Sequence, residues 1–367
     1  MVQQRLDLMY SILEQDHLDG AVLIPGPTFA YLTGLQYHTD ERPKVLILIK
    51  GRQPVLILPE FEAGKLAGNT LNIKPFTFGE DPEQWHTAFE SAAAFAGLAD
   101  RKLAVEPLSM RVRELRLLEE ATPSTRFVSA TPRWETMRMR KDEAEITSMR
   151  QAAQIAEQAF LAMLKNISAG MTEKEVAAEL VSQLLKHGSE PNFPFLPIIA
   201  SGPNGANPHA VPGERRLEPG DLVVVDWGAR YNGYCSDITR TLAVEEVNPE
   251  LIRVAQIVID ANAAGQKAAR SGAPAFDVDN ASRGVIEQAD FGPYFTHRTG
   301  HGLGMEGHEP PYMTGQNAIR LEEGMTFTVE PGIYLPGKFG IRIEDNVVVR
   351  ADGGECLTSL PRELFRI

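Results

Sequence analysis

Apolar positions in the first third of the chain alternate between the spacings of helices and of strands. One helix face is predicted by apolar residues at positions i, i+3, i+4 and i+7, namely Leu6, Met9, Tyr10 and Leu13. Short apolar runs predict strands at 21–24, 44–49, 55–58 and 102–105, and longer periodic stretches predict helices at 83–99 and 108–119. This alternation indicates a mixed α/β amino-terminal domain.

A connector rich in threonine and proline follows, and longer helices begin after it. We place the domain boundary in this connector, which gives domains of 1–132 and 133–367. Helices are predicted over 141–167, from a capping box formed by Thr172 and Glu175, and from Asn248 toward 272. Strands are predicted at 221–229, 234–244, 325–330 and 340–349. The second domain is therefore predicted to be α+β.

Composition and charge exclude several classes of protein. The chain has 367 residues, of which 43% are apolar and 23% are charged, a mixture typical of folded globular proteins. Its formal net charge is −13, and no cluster of lysine and arginine resembles a nucleic-acid footprint. Nucleic acid and anionic membranes are therefore poor candidate partners.

The sequence also suggests where the protein works. Its apolar runs are only as long as strands, far below the roughly 18 residues that a membrane-spanning helix requires. Arg5, Asp7 and Glu14 interrupt the first residues, which argues against a secretory signal. Cys235 and Cys356 are too few for a disulfide framework or a thiolate zinc site. We therefore expect a cytoplasmic protein with reduced thiols.

Two aspartates lie on neighbouring strands of a predicted hairpin. Asn232-Gly233 between two β patterns is a strong signal for a two-residue turn, and counting outward from it pairs Tyr231 with Tyr234. The same count places Asp226 and Asp237 on one face, roughly 7 Å apart or less. Carboxylates so placed repel each other, which favours a divalent cation between them. The alternative is that both aspartates are solvated or capping residues.

A second pair of carboxylates follows near the end of the chain. Glu330 ends one predicted strand, and Glu344 lies on the next. In that strand Arg342 alternates with isoleucines and therefore shares a face with Glu344. An acidic hairpin that is used twice suggests two similar halves folded around one site.

Histidines point to the same region. Three of the eight histidines fall within twelve residues, at His297, His301 and His308. Glycines on both sides of His301 allow the backbone a close approach, as a crowded site would need. His209 lies in a separate loop rich in glycine and proline, a composition that often holds functional groups, with an incidental surface histidine as the alternative.

These segments, in this order, resemble the pita-bread metallopeptidases, which include Xaa-Pro dipeptidases (prolidases), Xaa-Pro aminopeptidases and the metal-free creatinases. The resemblance covers nearly the whole chain and implies an α/β creatinase-type amino-terminal domain followed by an α+β pita-bread catalytic domain. The metal-ligand types of the family are all present in motifs such as Thr-Gly-His-Gly-Leu-Gly and Val-Glu-Pro-Gly. The matching residues are Asp226, Asp237, His301, Glu330 and Glu344.

The resemblance also implies roles for these residues. Two divalent metal ions would be bridged by Asp237 and Glu344, with Asp226 completing the first site and His301 and Glu330 the second. Manganese is the favoured metal, and zinc or cobalt would also suit this ligand set. Glu330 would take the proton of the attacking water and pass it to the leaving nitrogen.

Other residues are implied around the metal ions. His209, His297 and His308 would orient the substrate and stabilise the tetrahedral intermediate, and Arg342 would support the same site. The expected substrates are dipeptides or short peptides that contain proline. An X-Pro bond has no N–H on its leaving nitrogen, so its hydrolysis needs a dedicated enzyme.

The motifs and the resemblance are compatible with three functions. The leading one is hydrolysis of Xaa-Pro dipeptides, the second is removal of the residue before proline from longer peptides, and the third is a non-catalytic binding protein. A dipeptidase must bind the free proline carboxylate, for which Arg342, His297 or a loop from a partner subunit are candidates. The resemblance implies a homodimer, in which the loop with Tyr37 and His38 would help to cover the partner's site. Tyr231 at the hairpin tip is equally compatible with the pocket and with solvent.

Overall fold

The computed structural model describes residues 2–367, which form two compact units, the first ending at Met137 and the second spanning Arg138–Ile367. Each unit encloses its own cluster of buried apolar side chains. This division is expected because a single core rarely organises so long a chain. Within residues 2–367, no helix combines the length and the apolar character needed to cross a membrane.

The first unit is a six-stranded mixed sheet with helices. Its elements are α1 (Val2–Gln15), β1 (Gly20–Leu23), α2 (Pro27–Thr33), β2 (Val45–Ile49), β3 (Val55–Pro59), β4 (Lys74–Phe78), α3 (Glu83–Ala96), β5 (Lys102–Val105), α4 (Val112–Ala121), β6 (Arg126–Ser129) and α5 (Pro132–Glu135). The strand order is β4-β3-β2-β1-β5-β6, with β1 antiparallel to β2 and parallel to β5. The α/β organisation predicted from the alternating patterns is confirmed.

One predicted helix in this unit begins later than the sequence suggested. The pattern predicted a helix from 108, whereas α4 begins at Val112. The preceding residues form a turn, in which the amides of Ser109 and Met110 both donate to the carbonyl oxygen of Glu106. The chain therefore makes this turn first and enters the helix only at Val112.

The second unit is α+β, as predicted. Its elements are α6 (Glu143–Met163), α7 (Glu173–Lys186), β7 (Ile198–Ser201), β8 (Leu222–Trp227), β9 (Arg230–Tyr231), β10 (Tyr234–Cys235), β11 (Ile238–Ala243), α8 (Pro249–Ala268), α9 (Ala275–Gln288), β12 (Gly300–Gly302), β13 (Glu309–Met313), β14 (Thr326–Val329), β15 (Gly332–Leu335), β16 (Phe339–Arg342), β17 (Asp345–Arg350), β18 (Gly353–Cys356) and β19 (Phe365–Arg366). The two larger sheets have the orders β19-β11-β8-β7 and β13-β12-β14-β17-β18. The predicted capping box of Thr172 and Glu175 opens α7.

The predicted hairpin has the expected register. Tyr231 pairs with Tyr234, and Asp226 pairs with Thr239. Asn232 and Gly233 have φ values of 50° and 79°, the left-handed backbone that a type I′ turn requires. The second strand is interrupted between β10 and β11, so the continuous strand predicted over 234–244 is wrong in this detail. Close approach of the backbone at this break is possible because the opposite residue is a glycine: a Cβ on Gly228 would lie 2.1 Å from the Ser236 oxygen.

The strand predicted over 340–349 is also two strands. β16 pairs with β15, whereas β17 pairs with β14 and β18. The chain changes partners at Ile343 and Glu344, where the Glu344 amide donates to the carbonyl oxygen of Thr239 at 3.1 Å. This bridge brings Glu344 to the hairpin that carries Asp226 and Asp237.

A stacked pair of aromatic rings anchors that hairpin to the helical layer. The rings of Phe160 in α6 and Trp227 in β8 are 4.5 Å apart and nearly parallel. The Trp227 indole N–H donates to the carbonyl oxygen of Ala156 at 2.9 Å. These contacts fix Trp227 on the face of β8 that packs against α6. Because side chains alternate along a strand, its neighbour Asp226 is held on the opposite face.

Candidate active site and metal centre

The residues singled out from the sequence line one cavity of about 830 Å³ in the second unit. The cavity wall includes the carboxylates and the histidine of the expected metal centre, which are Asp226, Asp237, His301, Glu330 and Glu344. It also includes the four other expected residues, which are His209, His297, His308 and Arg342. Tyr231 lies outside this lining and is 37% exposed. The structure thus brings together side chains that are spread over more than a hundred residues of sequence.

Three carboxylates form the first group. Asp226 comes from β8, Asp237 from the break between β10 and β11, and Glu344 from the change of partners between β16 and β17. One oxygen of each lies within 4.8 Å of the others, and all three side chains are buried. This group could hold a metal ion.

A second group shares Glu344 with the first. It consists of His301 in β12, Glu330 after β14, and Glu344, again with ligand atoms within 4.8 Å of one another. His301 Nε2 lies 3.4 Å from Glu330 Oε1 and 3.6 Å from Asp237 Oδ2. His308 forms a third such group with Asp237 and His301, and its ring centre is 3.8 Å from that of His301.

Burial makes this cluster of charges unfavourable without a cation. Burial raises the pKa of Glu330 to about 7. It also raises the pKa values of Asp237 and Glu344 well above their usual range, an effect reinforced by the neighbouring carboxylates. Burial lowers the pKa of His301, which therefore stays neutral, the form that ligates metals. The carboxylates repel one another and the imidazole brings no compensating charge.

Two carboxylate oxygens without hydrogen bonds indicate what kind of ligand the cluster can bind. Oδ1 of Asp226 and Oδ1 of Asp237 are buried and accept no hydrogen bond from residues 2–367. Buried acceptors in folded proteins nearly always have a partner. A set rich in carboxylate oxygens, with one imidazole, suits divalent cations such as manganese, zinc or cobalt. The residues present therefore fit divalent metal ions.

Arg342 is the buried cation beside these carboxylates. Its Nη2 donates to Asp226 Oδ2 at 2.5 Å, and its Nε donates to Thr239 Oγ1 at 3.0 Å. Thr239 in turn donates to Glu344 Oε2 at 2.6 Å. The guanidinium thus orients one acidic ligand directly and another through a hydroxyl group.

Tyr334 is a site residue that the sequence analysis missed. Its hydroxyl group accepts a hydrogen bond from Arg342 Nη1 at 2.9 Å and lies 2.8 Å from His297 Nε2. Since burial raises the pKa of Tyr334 to about 12, the phenol keeps its proton and can donate it to His297. The only available signal was its position in the apolar hairpin just after Glu330.

His297 is consequently held in one tautomer. Its Nδ1 lies 2.7 Å from the carbonyl oxygen of Arg298, so Nδ1 carries the proton and Nε2 accepts from Tyr334. Burial lowers the pKa of His297 to about 4, which keeps the ring neutral. Its ring stands perpendicular to that of Phe295, 5.2 Å away.

Arg298 is a second cation on the cavity wall that the sequence analysis did not single out. Its Nη2 lies 3.2 Å from His308 Nδ1, and its guanidinium stacks 4.5 Å from the centre of the Tyr312 ring. Within the described part of the chain, no carboxylate forms a salt bridge with it. Its side chain is half-buried at the cavity.

The fold and the acidic centre together define a class of enzyme. Residues 147–351 match the metallopeptidase family M24, and residues 5–140 match the creatinase/prolidase N-terminal domain. The chain belongs to metallopeptidase family M24, and this membership implies divalent metal ions. The pita-bread family and the two-domain architecture expected from the sequence motifs are thereby confirmed.

Individual relatives match nearly the full length of the chain. A putative dipeptidase, YkvY of Bacillus subtilis, is 36% identical over 335 residues, which cover 91% of this chain and 92% of that protein. An Xaa-Pro dipeptidase of Pyrococcus horikoshii is 32% identical over 365 residues, which cover 100% of this chain and 99% of the relative. A prolidase structure from Thermococcus sibiricus is similar with a TM-score of 0.92 at 35% identity, covering 100% of this chain and 99% of the prolidase.

Proposed function

We propose that this protein hydrolyses Xaa-Pro dipeptides with two divalent metal ions. The observation that carries the proposal is the pair of three-residue groups that share Glu344, with two buried carboxylate oxygens left without hydrogen bonds. The proposed ligands are Asp226, Asp237, His301, Glu330 and Glu344. The cavity volume of about 830 Å³ is ample for a dipeptide. Relatives that are named Xaa-Pro dipeptidase and prolidase support the substrate.

The side chains supply positioning and proton transfer. Bound divalent ions would supply Lewis-acid polarisation of the scissile carbonyl group and would activate water. Glu330 accepts the proton of the attacking water on a carboxylate oxygen and passes it to the leaving proline nitrogen. His209 and His308, both on the cavity wall, donate to the oxygen on which negative charge develops.

Arg298 is the best-placed residue to bind the free proline carboxylate. The sequence left Arg342 and His297 as candidates, but four of the five N–H donors of Arg342 are occupied by Asp226, Thr239, Tyr334 and the Pro208 carbonyl oxygen. Both ring nitrogens of His297 are occupied as well. The guanidinium of Arg298 faces the same cavity without a carboxylate partner among residues 2–367, and its planar donors suit a carboxylate.

We also propose a homodimer, with His38 as the residue offered to a partner. Tyr37 packs edge-on against Phe29 at 5.8 Å, so its ring is used within the first unit. His38 is exposed, and its carbonyl oxygen is fixed by the buried Lys44 Nζ at 3.1 Å. Sedimentation at micromolar concentration tests this proposal, and a fully active monomer would contradict it.

Manganese as the native metal and a cytoplasmic location complete the proposal. Cys235 and Cys356 are both free thiols, which is typical of a reducing compartment. The ligand set itself accommodates manganese, zinc or cobalt, so comparison of activities after metal addition decides among them.

The deciding experiment compares two substrates. Chelator-stripped protein is assayed with Ala-Pro and with Ala-Pro-Ala after separate addition of manganese, cobalt or zinc. We expect metal to restore hydrolysis of Ala-Pro alone. Hydrolysis of the tripeptide would instead identify an Xaa-Pro aminopeptidase, and inactivity on both substrates with every metal would favour the non-catalytic alternative.

A further inference from the structure

Glu173 is a buried carboxylate that lies outside the lining of the proposed active-site cavity. It occupies the first turn of α7, and its side chain has no exposed surface. The positive end of the helix dipole favours a negative charge there. No lysine or arginine among residues 2–367 forms a salt bridge with it. Its charge is therefore stabilised by hydrogen bonds and, without direct contact, by the nearby positive charge of Arg215, which donates to Ser201.

The hydrogen bonds of Glu173 come from both ends of one loop. Residues 202–212, which we call the His209 loop, run between β7 and the segment that starts at Gly213. At the first end, Glu173 Oε1 accepts from the Ser201 amide and hydroxyl groups at 2.8 Å each and from Asn204 Nδ2 at 3.0 Å. At the second end, Glu173 Oε2 accepts from the Gly213 amide at 2.9 Å. One carboxylate therefore joins both ends of the loop. Two other bonds hold these ends separately: Arg215 Nη1 donates to Ser201 Oγ at 2.7 Å, and the Lys174 amide donates to the Gly213 carbonyl oxygen at 3.2 Å.

The far side of the loop touches the proposed active site. Gly205 packs directly on Gly340 in β16, where a Cβ on Gly205 would lie 2.9 Å from the Gly340 nitrogen. The carbonyl oxygen of Pro208 accepts from Arg342 Nη1 at 3.3 Å. His209 follows, with an exposed side chain on the cavity wall. The imidazole has no anchor of its own in the described contacts, so its position depends on the backbone of the loop.

We propose that Glu173 is a positioning residue that holds the His209 loop, and through it His209, against the cavity. This inference rests on the proposed peptidase function, in which His209 acts on the reacting carbonyl group. Glu173→Gln replaces one carboxylate oxygen by an N–H₂ group. At one end of the loop this group faces N–H donors that previously donated to the oxygen, and those donors are left unpaired. That end of the loop then loses its bonds to Glu173, and a displacement of about 1 Å can reduce turnover by about 100-fold.

The test is a double-mutant cycle with Glu173→Gln and His209→Ala. We expect Glu173→Gln to lower kcat for Ala-Pro by about 10-fold or more while KM changes little, since His209 acts in the transition state. In the His209→Ala background, Glu173→Gln should cause no further loss of kcat. An equal loss in both backgrounds, or an unchanged kcat in the single variant, would overturn the proposal.

A second readout does not depend on activity. Hydrogen exchange of the Ser201 and Gly213 amides should be faster in Glu173→Gln than in the unmodified protein. Unchanged protection of both amides would contradict the proposal even if activity fell. Inactivity of the unmodified protein, by contrast, would reject the proposed function and leave this exchange result to be judged by itself.

Two further variants separate positioning from stability. Glu175→Ala, in the same helical turn, removes the bonds to Thr172 but none to the loop, so kcat should stay within about 2-fold of the unmodified value. If Glu173→Gln fails to fold, Asn204→Ala removes one donor at an exposed residue, and a smaller loss of kcat is expected. A full kcat in Asn204→Ala with a large loss in Glu175→Ala would overturn the assignment.

Discussion

Side chains in the cavity differ in how many of their donors and acceptors are already used. Arg342 uses four of its five N–H donors on Asp226, Thr239, Tyr334 and the Pro208 carbonyl oxygen, so its main role is to organise the site. Asp226 and Asp237 each keep one acceptor atom unused, which is the property expected of a metal ligand. Arg298 lies on the cavity wall and has no carboxylate partner among residues 2–367.

The first prediction concerns Asp237. Asp237→Asn should lower metal affinity and reduce Ala-Pro hydrolysis by at least about 100-fold, because a shared ligand is lost. In metal-free protein the same change should raise the melting temperature, because it removes one of several buried charges that repel each other. Calorimetry with and without metal measures both effects. A lower melting temperature in the metal-free variant would contradict this account.

A second prediction concerns Tyr334. Tyr334→Phe removes the hydroxyl group that joins Arg342 to His297, and both partners lose a buried hydrogen bond. We expect kcat to fall by about 10-fold or more, with the metal content unchanged. Tyr294→Phe is a matched control, because that tyrosine is 37% exposed and lies outside the cavity lining. Equal activity of the two variants would argue against a role for the Tyr334 hydroxyl group.

The third prediction tests Arg298 as the carboxylate-binding group. Arg298→Ala should raise KM for Ala-Pro by about 10-fold or more, because a charge-assisted hydrogen bond to the substrate is lost. KM for Ala-prolinamide, which lacks the carboxylate, should be the same in both proteins. Steady-state kinetics with the two substrates makes this comparison, and an equal increase for both would mean that Arg298 contributes only to the shape of the cavity.

At the scale of elements, the site lies where a strand is interrupted or changes the strand with which it pairs. Asp237 lies in the break between β10 and β11, and Glu344 lies where the chain leaves the β15–β16 ribbon for the sheet that contains β17. Side chains at such breaks are released from strict alternation and can converge. The positions of the proposed metal ligands therefore depend on irregularities in the strands as much as on the strands themselves.

The fourth prediction compares two glycines. Gly233 has a φ of 79°, a left-handed backbone conformation that is costly for alanine. Gly233→Ala should therefore lower the free energy of unfolding of the second unit by about 1–2 kcal/mol. Gly284 lies inside α9, and a Cβ there would meet no atom within 4 Å. Gly284→Ala should therefore raise stability by about 0.5–1 kcal/mol. Thermal denaturation should give shifts of opposite sign, and shifts of the same sign would refute the turn geometry.

At the scale of the whole molecule, charge and metal are linked. The formal net charge is −13, and four acidic side chains line one cavity, three of them buried and Glu330 half-buried. Divalent cations bound there neutralise this cluster and stabilise the folded state by mass action.

The fifth prediction is therefore that chelation destabilises the protein. Removal of metal should lower the melting temperature of the second unit by several degrees, since about 2–4 °C corresponds to each kcal/mol in a domain of this size. Addition of manganese should restore the value. Asp260→Asn, a change in the exposed part of α8, is a control that should respond to chelation as the unmodified protein does. A melting temperature that is indifferent to chelator would contradict the metal centre.

The sequence by itself determined the features that depend on local patterns. Turn chemistry at Asn232-Gly233 and the two-residue alternation of strands were enough to count the register that pairs Asp226 with Thr239. The Thr172 capping box and the α/β and α+β character of the two units followed from equally local signals. Nine site residues could be named in this way because short motifs carried them, and all nine line one cavity.

Only the tertiary structure decided the remaining features, which depend on contacts between distant segments. Tyr334 and His297 are separated by 37 positions in the sequence, and Glu173 and Gly213 by 40 positions. No local pattern therefore predicts either contact. The break at Glu344 arises because β16 and β17 find different partners. Packing and hydrogen bonding in three dimensions likewise determine which donors of Arg342 are occupied, and they place Arg298 beside His308 on the cavity wall.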